Sequence, residues 1–131
     1  MAYQSFEDLE VWQRGCRLFV DSFRAFEGCR KYSLKDQIER ASLSIPSNIA
    51  EGAERGSTKD FARFLNFSKG SCSELRTQLY IARKLALVGK NDFEKLISET
   101  KEISAMFQGL RRSVLAKLRK DQTRAQPTLK S

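Results

Sequence analysis

Histidine is absent from the 131 residues. That removes the commonest general base and the commonest zinc ligand. Cysteine is scarce: Cys16, Cys29 and Cys72 are odd in number and lack metal-ligand spacing. Cys16 and Cys72 fall on apolar helical positions, where cysteine behaves as a small hydrophobe. No run approaches the ~20 apolar residues of a membrane span. The opening residues MAYQSFEDLE lack the basic and apolar regions of a signal peptide. These absences predict a cytoplasmic protein with no cofactor, no metal and no membrane partner. No stretch shows the alternation of a strand.

Acidic residues become rare toward the C-terminus. The net charge is +8. From residue 111 onward the basic residues are Arg111, Arg112, Lys117, Arg119, Lys120, Arg124 and Lys130, with Asp121 the lone acid. A basic end of this kind suits an anionic partner such as nucleic acid, the alternative being a solubilising tail.

What is present in abundance is helical periodicity. Leu9, Trp12, Cys16, Phe19, Val20, Phe23 and Phe26 recur at spacings of three and four, predicting a helix over about 7–27. A second, 33–55, opens on Ser33 and Asp36 in capping-box spacing and is lined by Leu34, Ile38, Ala41, Ile45, Ile49 and Ala53. A third, 57–88, opens on Ser57 and Asp60. Its inner stripe is Phe61, Phe64, Leu65, Cys72, Leu75, Leu79, Ala82 and Leu85. A fourth, 91–119, opens on Asn91 and Glu94, and its stripe runs from Phe93 through Ile103 and Phe107 to Val114 and Leu118. Four amphipathic helices with short joints predict an all-α fold, an antiparallel up-down-up-down four-helix bundle over 1–120. Beyond it, 121–131 reads as a basic, disordered tail, with Pro127 stopping any helix.

One stretch breaks the helical rules. SIPSNIAEG, residues 44–52, places Pro46 and Gly52 inside the second helix. An interior proline costs roughly 3 kcal/mol and an interior glycine about 1 kcal/mol. Ser44, Asn48 and Gly52 share one face. The expected arrangement is a structural joint between the second and third helices or between subunits, the alternative being a ligand or nucleic-acid site: Gly52 against Gly70 and Ser71 of the third helix, with Asn48 or Glu51 bonded across to Glu74 or Gln78. Hydroxyl or amide groups nearby would satisfy the carbonyl of Ser42 that Pro46 leaves free.

The same residues carry a resemblance. Phe6-x-x-Leu9-x-Val11-Trp12-Gln13, the run from Leu34 through Gln37-Ile38, Arg40-Ala41 and SIPSNIAEG, Phe61-x-x-Phe64-Leu65, and Lys69-Gly70-Ser71-x-x-Glu74-Leu75-x-x-Gln78-Leu79 resemble the four-helix-bundle proteins encoded in intervening sequences of bacterial 23S rRNA genes. The likeness extends from about Phe6 to Leu118. It implies an antiparallel bundle that assembles as a homo-oligomeric ring, a pentamer. It also implies a relation to the accessory proteins of diversity-generating retroelements, which work with a reverse transcriptase and are thought to bind nucleic acid.

Three functions compete. In the first, an oligomeric basic protein binds nucleic acid through phosphate contacts from Arg111, Arg112, Lys117, Arg119, Lys120 and Arg124, with Arg14, Arg17 and Arg24 of the first helix next in line. In the second, the bundle is a scaffold for a protein such as a reverse transcriptase or a ribosome-associated protein. The third is catalysis by Glu51 and Glu74, the one carboxylate pair worth naming. No nucleophile, metal cluster or phosphate-cradling loop accompanies that pair, so the chain reads as non-catalytic.

Overall fold

In the computed structural model, residues 5–125 are described. A 3₁₀ turn, Phe6–Asp8, leads into α1 (Glu10–Ala25), α2 (Tyr32–Glu54), α3 (Thr58–Lys84) and α4 (Lys90–Ala125). The chain is all-α, with no strand among the described residues.

Contacts between neighbours fix the directions. Ser44 of α2 meets Ser71 of α3, Ile45 meets Ser68, and Gly52 meets Phe64. The numbers rise on one helix as they fall on the other, so α2 and α3 are antiparallel. Gly15 against Ile45 and Pro46 joins α1 to α2. Arg14 reaches Glu99 and Glu102 of α4, and Tyr80 of α3 packs on Phe93 of α4. The helices therefore form a square, with α1 diagonal to α3. Leu18, Phe26, Ile38, Ile45, Ile49, Leu65, Leu75, Leu79, Ile103 and Phe107 are fully buried between them.

The ends of the helices depart in part from expectation. Ser57 caps α3, accepting from the Asp60 N–H at 3.1 Å. Ser33 and Asn91 do not cap: α2 already begins at Tyr32 and α4 at Lys90. Gly56, at φ +83, lets the chain turn out of α2. α3 stops at Lys84, short of Val88-Gly89. The Leu87 N–H returns to the Ala82 carbonyl at 2.9 Å, and Ala86 sits at φ 59. This is a Schellman stop with alanine where glycine is usual. Ala86→Gly is expected to raise unfolding stability by about 1 kcal/mol, read from urea denaturation.

α1 is rotated from its expected setting. Val11, Gly15, Leu18 and Ser22 face the core, while Val20 and Phe23 are 39% and 43% exposed. The cause is Gly15. A Cβ there would stand 3.3 Å from Ile45 Cγ2, so the small side of α1 settles against the Pro46 turn of α2. Of the expected stripe, Val20 and Phe23 turn outward, while Leu9, Trp12 and Phe26 still pack on the core, Trp12 edge-on to Phe6 at 5.2 Å between ring centres.

Cys72 is fully buried, and burial pushes its thiol up to about 11, against a smaller opposing pull from Ser104 and Arg76. The unfolded chain ionises this thiol near pH 9, and the folded chain resists. Stability is therefore fully present below pH 9 and lost between about pH 9 and 11, by an amount on the order of 2 kcal/mol. Unfolding at pH 8 and pH 11 should show a smaller loss for Cys72→Ala than for the unaltered chain.

Candidate nucleic-acid interface

α4 has 36 residues, about 54 Å of helix, against 16 in α1, 23 in α2 and 27 in α3. It outruns the bundle. Val114 is its last buried residue and Leu118 its last half-buried one. Every residue from Arg119 to Arg124 is exposed. Residues 121–125, expected to be disordered, continue the helix. Nothing in Lys120–Ala125 breaks a helix, and lysine, glutamine, arginine and alanine favour one. Pro127 and Lys130 lie outside the described residues.

At 100° per residue, Arg112 and Arg119 share the outward face of α4. Lys117, Lys120 and Arg124 form a second basic row beside them at spacings of three and four. Arg111 falls on another side, half-buried, with its Nε enclosed and without a hydrogen-bond partner. It does not extend either row.

The first-helix arginines do not join this group. Arg14 bridges α1 to α4: its Nε lies 2.9 Å from Glu99 Oε2, and its Nη2 lies 2.7 Å from Glu99 Oε1 and 3.0 Å from Glu102 Oε1. Hydrogen bonds to these carboxylates hold its guanidinium protonated even more firmly than usual. Already paired, Arg14 is removed from the phosphate-binding set. Arg17 is exposed and makes no ion pair among the described residues. Arg24 lines a cleft with Asp21, Asp92 and Lys95, at the far end of the bundle from Lys117.

The SIPSNIAEG joint is built differently from expectation. Ser44 donates to Ser71 at 2.6 Å, and Ser71 donates to the Phe67 carbonyl at 3.2 Å. Ser68, fully buried, donates to the Ile45 carbonyl at 2.9 Å. The Asn48 amide turns back to its own helix, donating to the Ser44 carbonyl at 2.9 Å, and Glu51 pairs with Arg55 at 3.0 Å. Neither reaches Glu74 or Gln78. The hydroxyl and amide donors around Pro46 thus serve the carbonyls of Ala41, Ser44 and Ile45, not that of Ser42. Pro46 itself is buried against Gly15. Gly52 makes room for Phe64, and a Cβ at Gly70 would have nothing within 4 Å. The expected pairing of Gly52 with Gly70 is replaced by a glycine–phenylalanine contact. The antiparallel register also keeps Glu51 and Glu74 about 15 Å apart along the axis, ten residues of helix. Glu74 instead lines an open polar groove with Arg40, Ser44 and Gln78.

Composition alone did not reveal a further basic cluster. Arg55 and Arg63 each place a guanidinium 4.9 Å from the centre of the Phe64 ring, and Arg63 lies 5.7 Å from Phe67. Phe67 is 45% exposed and edge-on to Phe64 at 5.2 Å. The available signal was the four-residue spacing Arg55, Lys59, Arg63 running across the α2–α3 turn. Glu51 and Asp60 partly neutralise the cluster, and the Arg63 hydrogen bond lowers the Asp60 carboxyl below its usual range.

Fold and surface define a class: a helical bundle carrying a projecting basic helix. No group of metal-ligating side chains stands among the described residues. No described helix is long and apolar enough to cross a membrane. Residues 7–109 match the family model of the 23S rRNA-intervening sequence protein, and the chain belongs to that family. It is similar to the crystal structure of a protein of unknown function from the S23 ribosomal protein family of Bacteroides thetaiotaomicron. The TM-score is 0.71 at 19% identity, over 77% of this chain and 97% of that one. No curated protein matches the chain. The family match stops at residue 109, so the basic half of α4 lies beyond it.

Proposed function

We propose that this chain is a non-catalytic, oligomeric protein of the cytoplasm that binds nucleic acid through phosphate contacts. Arg112, Lys117, Arg119, Lys120 and Arg124 of α4 make them. The observation that carries this reading is the run from Arg119 to Arg124: exposed throughout and packed on nothing, it offers three cations against one acid. Conformational entropy is spent on ordering such a helix with no burial in return, which suits a surface that meets a partner. Contacts of this kind are largely indifferent to sequence and weaken with salt. Assembly as a ring, a pentamer as the family resemblance implies, would repeat the basic rows and multiply their effect. A triple variant, Arg112, Arg119 and Arg124 each to Glu, is expected to abolish the gel shift of RNA and DNA at low salt with an unchanged circular dichroism spectrum. A retained shift would sink the assignment to α4.

A second reading, a scaffold for a protein such as a reverse transcriptase, has its own support. Val20 and Phe23 on α1, and Phe67 and Ile81 on α3 with Leu85 just past its end, leave apolar side chains open on two opposite sides of the square. It also accords with the relation to retroelement accessory proteins that the resemblance implies. Capture of a protein partner by a chain without salt-sensitive affinity for nucleic acid would favour it.

A further inference from the structure

Two outward rows of side chains, on diagonal corners of the square, share one spacing. On α1 the row is Gln13, Arg17, Val20 and Arg24, with Glu27 in the turn that follows, at steps of four, three, four and three. On α3 it is Gly70, Glu74, Thr77, Ile81 and Lys84, at the same steps. Such steps keep each row on one face of its helix. Every residue of both rows is exposed. Arg17, Arg24, Glu27, Glu74 and Lys84 make no ion pair among the described residues, whereas Arg14, Arg55 and Arg63 are each paired. The rows also hold open apolar groups: Val20, with Phe23 beside it, and Ile81.

Contacts inside one copy set the two rows level with each other. Gly15 of α1 lies against Ile45 and Pro46 of α2, and beside them Ser44 meets Ser71 of α3. The other way round the square, Arg14 meets Glu99 of α4, and Phe93 of α4 meets Tyr80 of α3. The two routes bracket the height of Glu74 for Arg17, and that of Lys84 for Glu27, each within about a turn of helix. α1 and α3 also point the same way, since a short turn joins each of them to α2 and sets it antiparallel. Copies placed around an axis along the bundle keep direction and height, because a closed ring has no rise. The α1 row of one copy then meets the α3 row of the next in register. Arg17 falls on Glu74 and Glu27 on Lys84. Val20 falls beside Thr77, Phe23 beside Ile81, and Gln13 on Gly70, where α3 leaves room. Opposite charges meet, and no like charges are opposed. Pairing two α1 rows about a two-fold axis at Val20 fails this test, because Arg17 would stand against Arg24.

We infer that the outer row of α1 binds the outer row of α3 on a second copy of this chain. The inference rests on the oligomeric reading and names the two surfaces that meet. The contact is heterologous: each copy keeps one row free for a further copy, so assembly continues until the ring closes. Neither row includes a residue of α4, so the basic rows of every copy stay open to phosphate.

Sedimentation equilibrium of the full chain over a range of concentrations tests this. Arg17→Glu and Glu74→Arg should each raise the dissociation constant by about tenfold or more. Both positions are exposed, so the circular dichroism spectrum should not change. The two substitutions in one chain exchange the charges and should restore association. An equal mixture of the two single variants should associate as well, since each supplies the charge that the other has lost. Lys101→Glu, exposed on α4 outside both rows, should have no effect. Single variants that associate like the unaltered chain would overturn the interface and leave the oligomeric reading standing, with the open apolar side chains left to a different protein. A double variant no better than the singles would overturn the pairing of Arg17 with Glu74. An unaltered chain that stays monomeric at every concentration would end both readings.

Discussion

Gly52→Ala is expected to destabilise the bundle by roughly 1–3 kcal/mol, an overpacking cost that lowers the thermal midpoint by several degrees. The added Cβ would stand 2.5 Å from Phe64 Cβ and 3.2 Å from Phe64 Cγ. The nearer atom is a Cβ, which every residue but glycine carries. No shortening of Phe64 other than to glycine relieves the clash, so α2 and α3 must move apart. Helix propensity pulls the other way: alanine in place of an interior glycine gains about 1 kcal/mol. The separation is resisted by Ser44–Ser71 and Ser68–Ile45 on the same seam, so the packing cost prevails. Gly70→Ala is the matched control. A Cβ there meets nothing within 4 Å, so propensity acts alone and the change should stabilise by about 1 kcal/mol. Differential scanning calorimetry of the two variants should therefore give shifts of opposite sign. The same sign for both would mean that Gly52 is not a packing glycine.

Ending the chain at Leu118 is expected to weaken nucleic-acid binding severely and leave the fold unchanged. The described residues removed, Arg119 to Arg124, bury nothing, so the thermal midpoint should hold. Binding loses Arg119, Lys120 and Arg124. Each cation that neutralises a phosphate contributes about one unit to the slope of log K against log salt. The slope should become shallower by about three units on duplex DNA and about two on a single strand. Lys117→Ala alone should cost about one, whereas Arg14→Ala should cost none, since Glu99 and Glu102 already occupy that guanidinium.

Most of the architecture was legible because helices 2, 3 and 4 obey one rule. The apolar residues that recur at helical spacing are with few exceptions the ones buried, from Ile38 and Ile45 to Ile103 and Phe107; Leu85, expected on the inner stripe of the third helix, is exposed just past the end of α3. Helix 1 broke the rule because contact with another helix outweighed hydrophobicity. Gly15 against Ile45 and Pro46 set the helix so that Val11 and Leu18 face inward and Val20 and Phe23 outward, and no count of apolar residues along α1 contains that contact. The special character of SIPSNIAEG was visible, but its partners were not. Asn48 could bond either to its own helix or to the next, and only the backbone carbonyl of Ser44 lies in reach at 2.9 Å. The candidate site divided in the same way. Arg112, Lys117, Arg119, Lys120 and Arg124 were identifiable from charge alone. The pairing of Arg14, the enclosure of Arg111 and the arginine–phenylalanine cluster at Arg55 and Arg63 depend on distances between elements. The end of α4 was misread because polarity resembles disorder in composition, while helix propensity is indifferent to it.

The salt dependence of binding is the most direct measurement. Single-stranded RNA and DNA would be titrated with the full chain and with the chain ending at Leu118, from low to near-physiological salt. The account predicts steeply salt-dependent binding by the full chain and a slope shallower by about two units on these single strands after truncation, with the thermal midpoint unchanged. Binding whose strength and slope survive the truncation, or no binding by the intact chain, would contradict it.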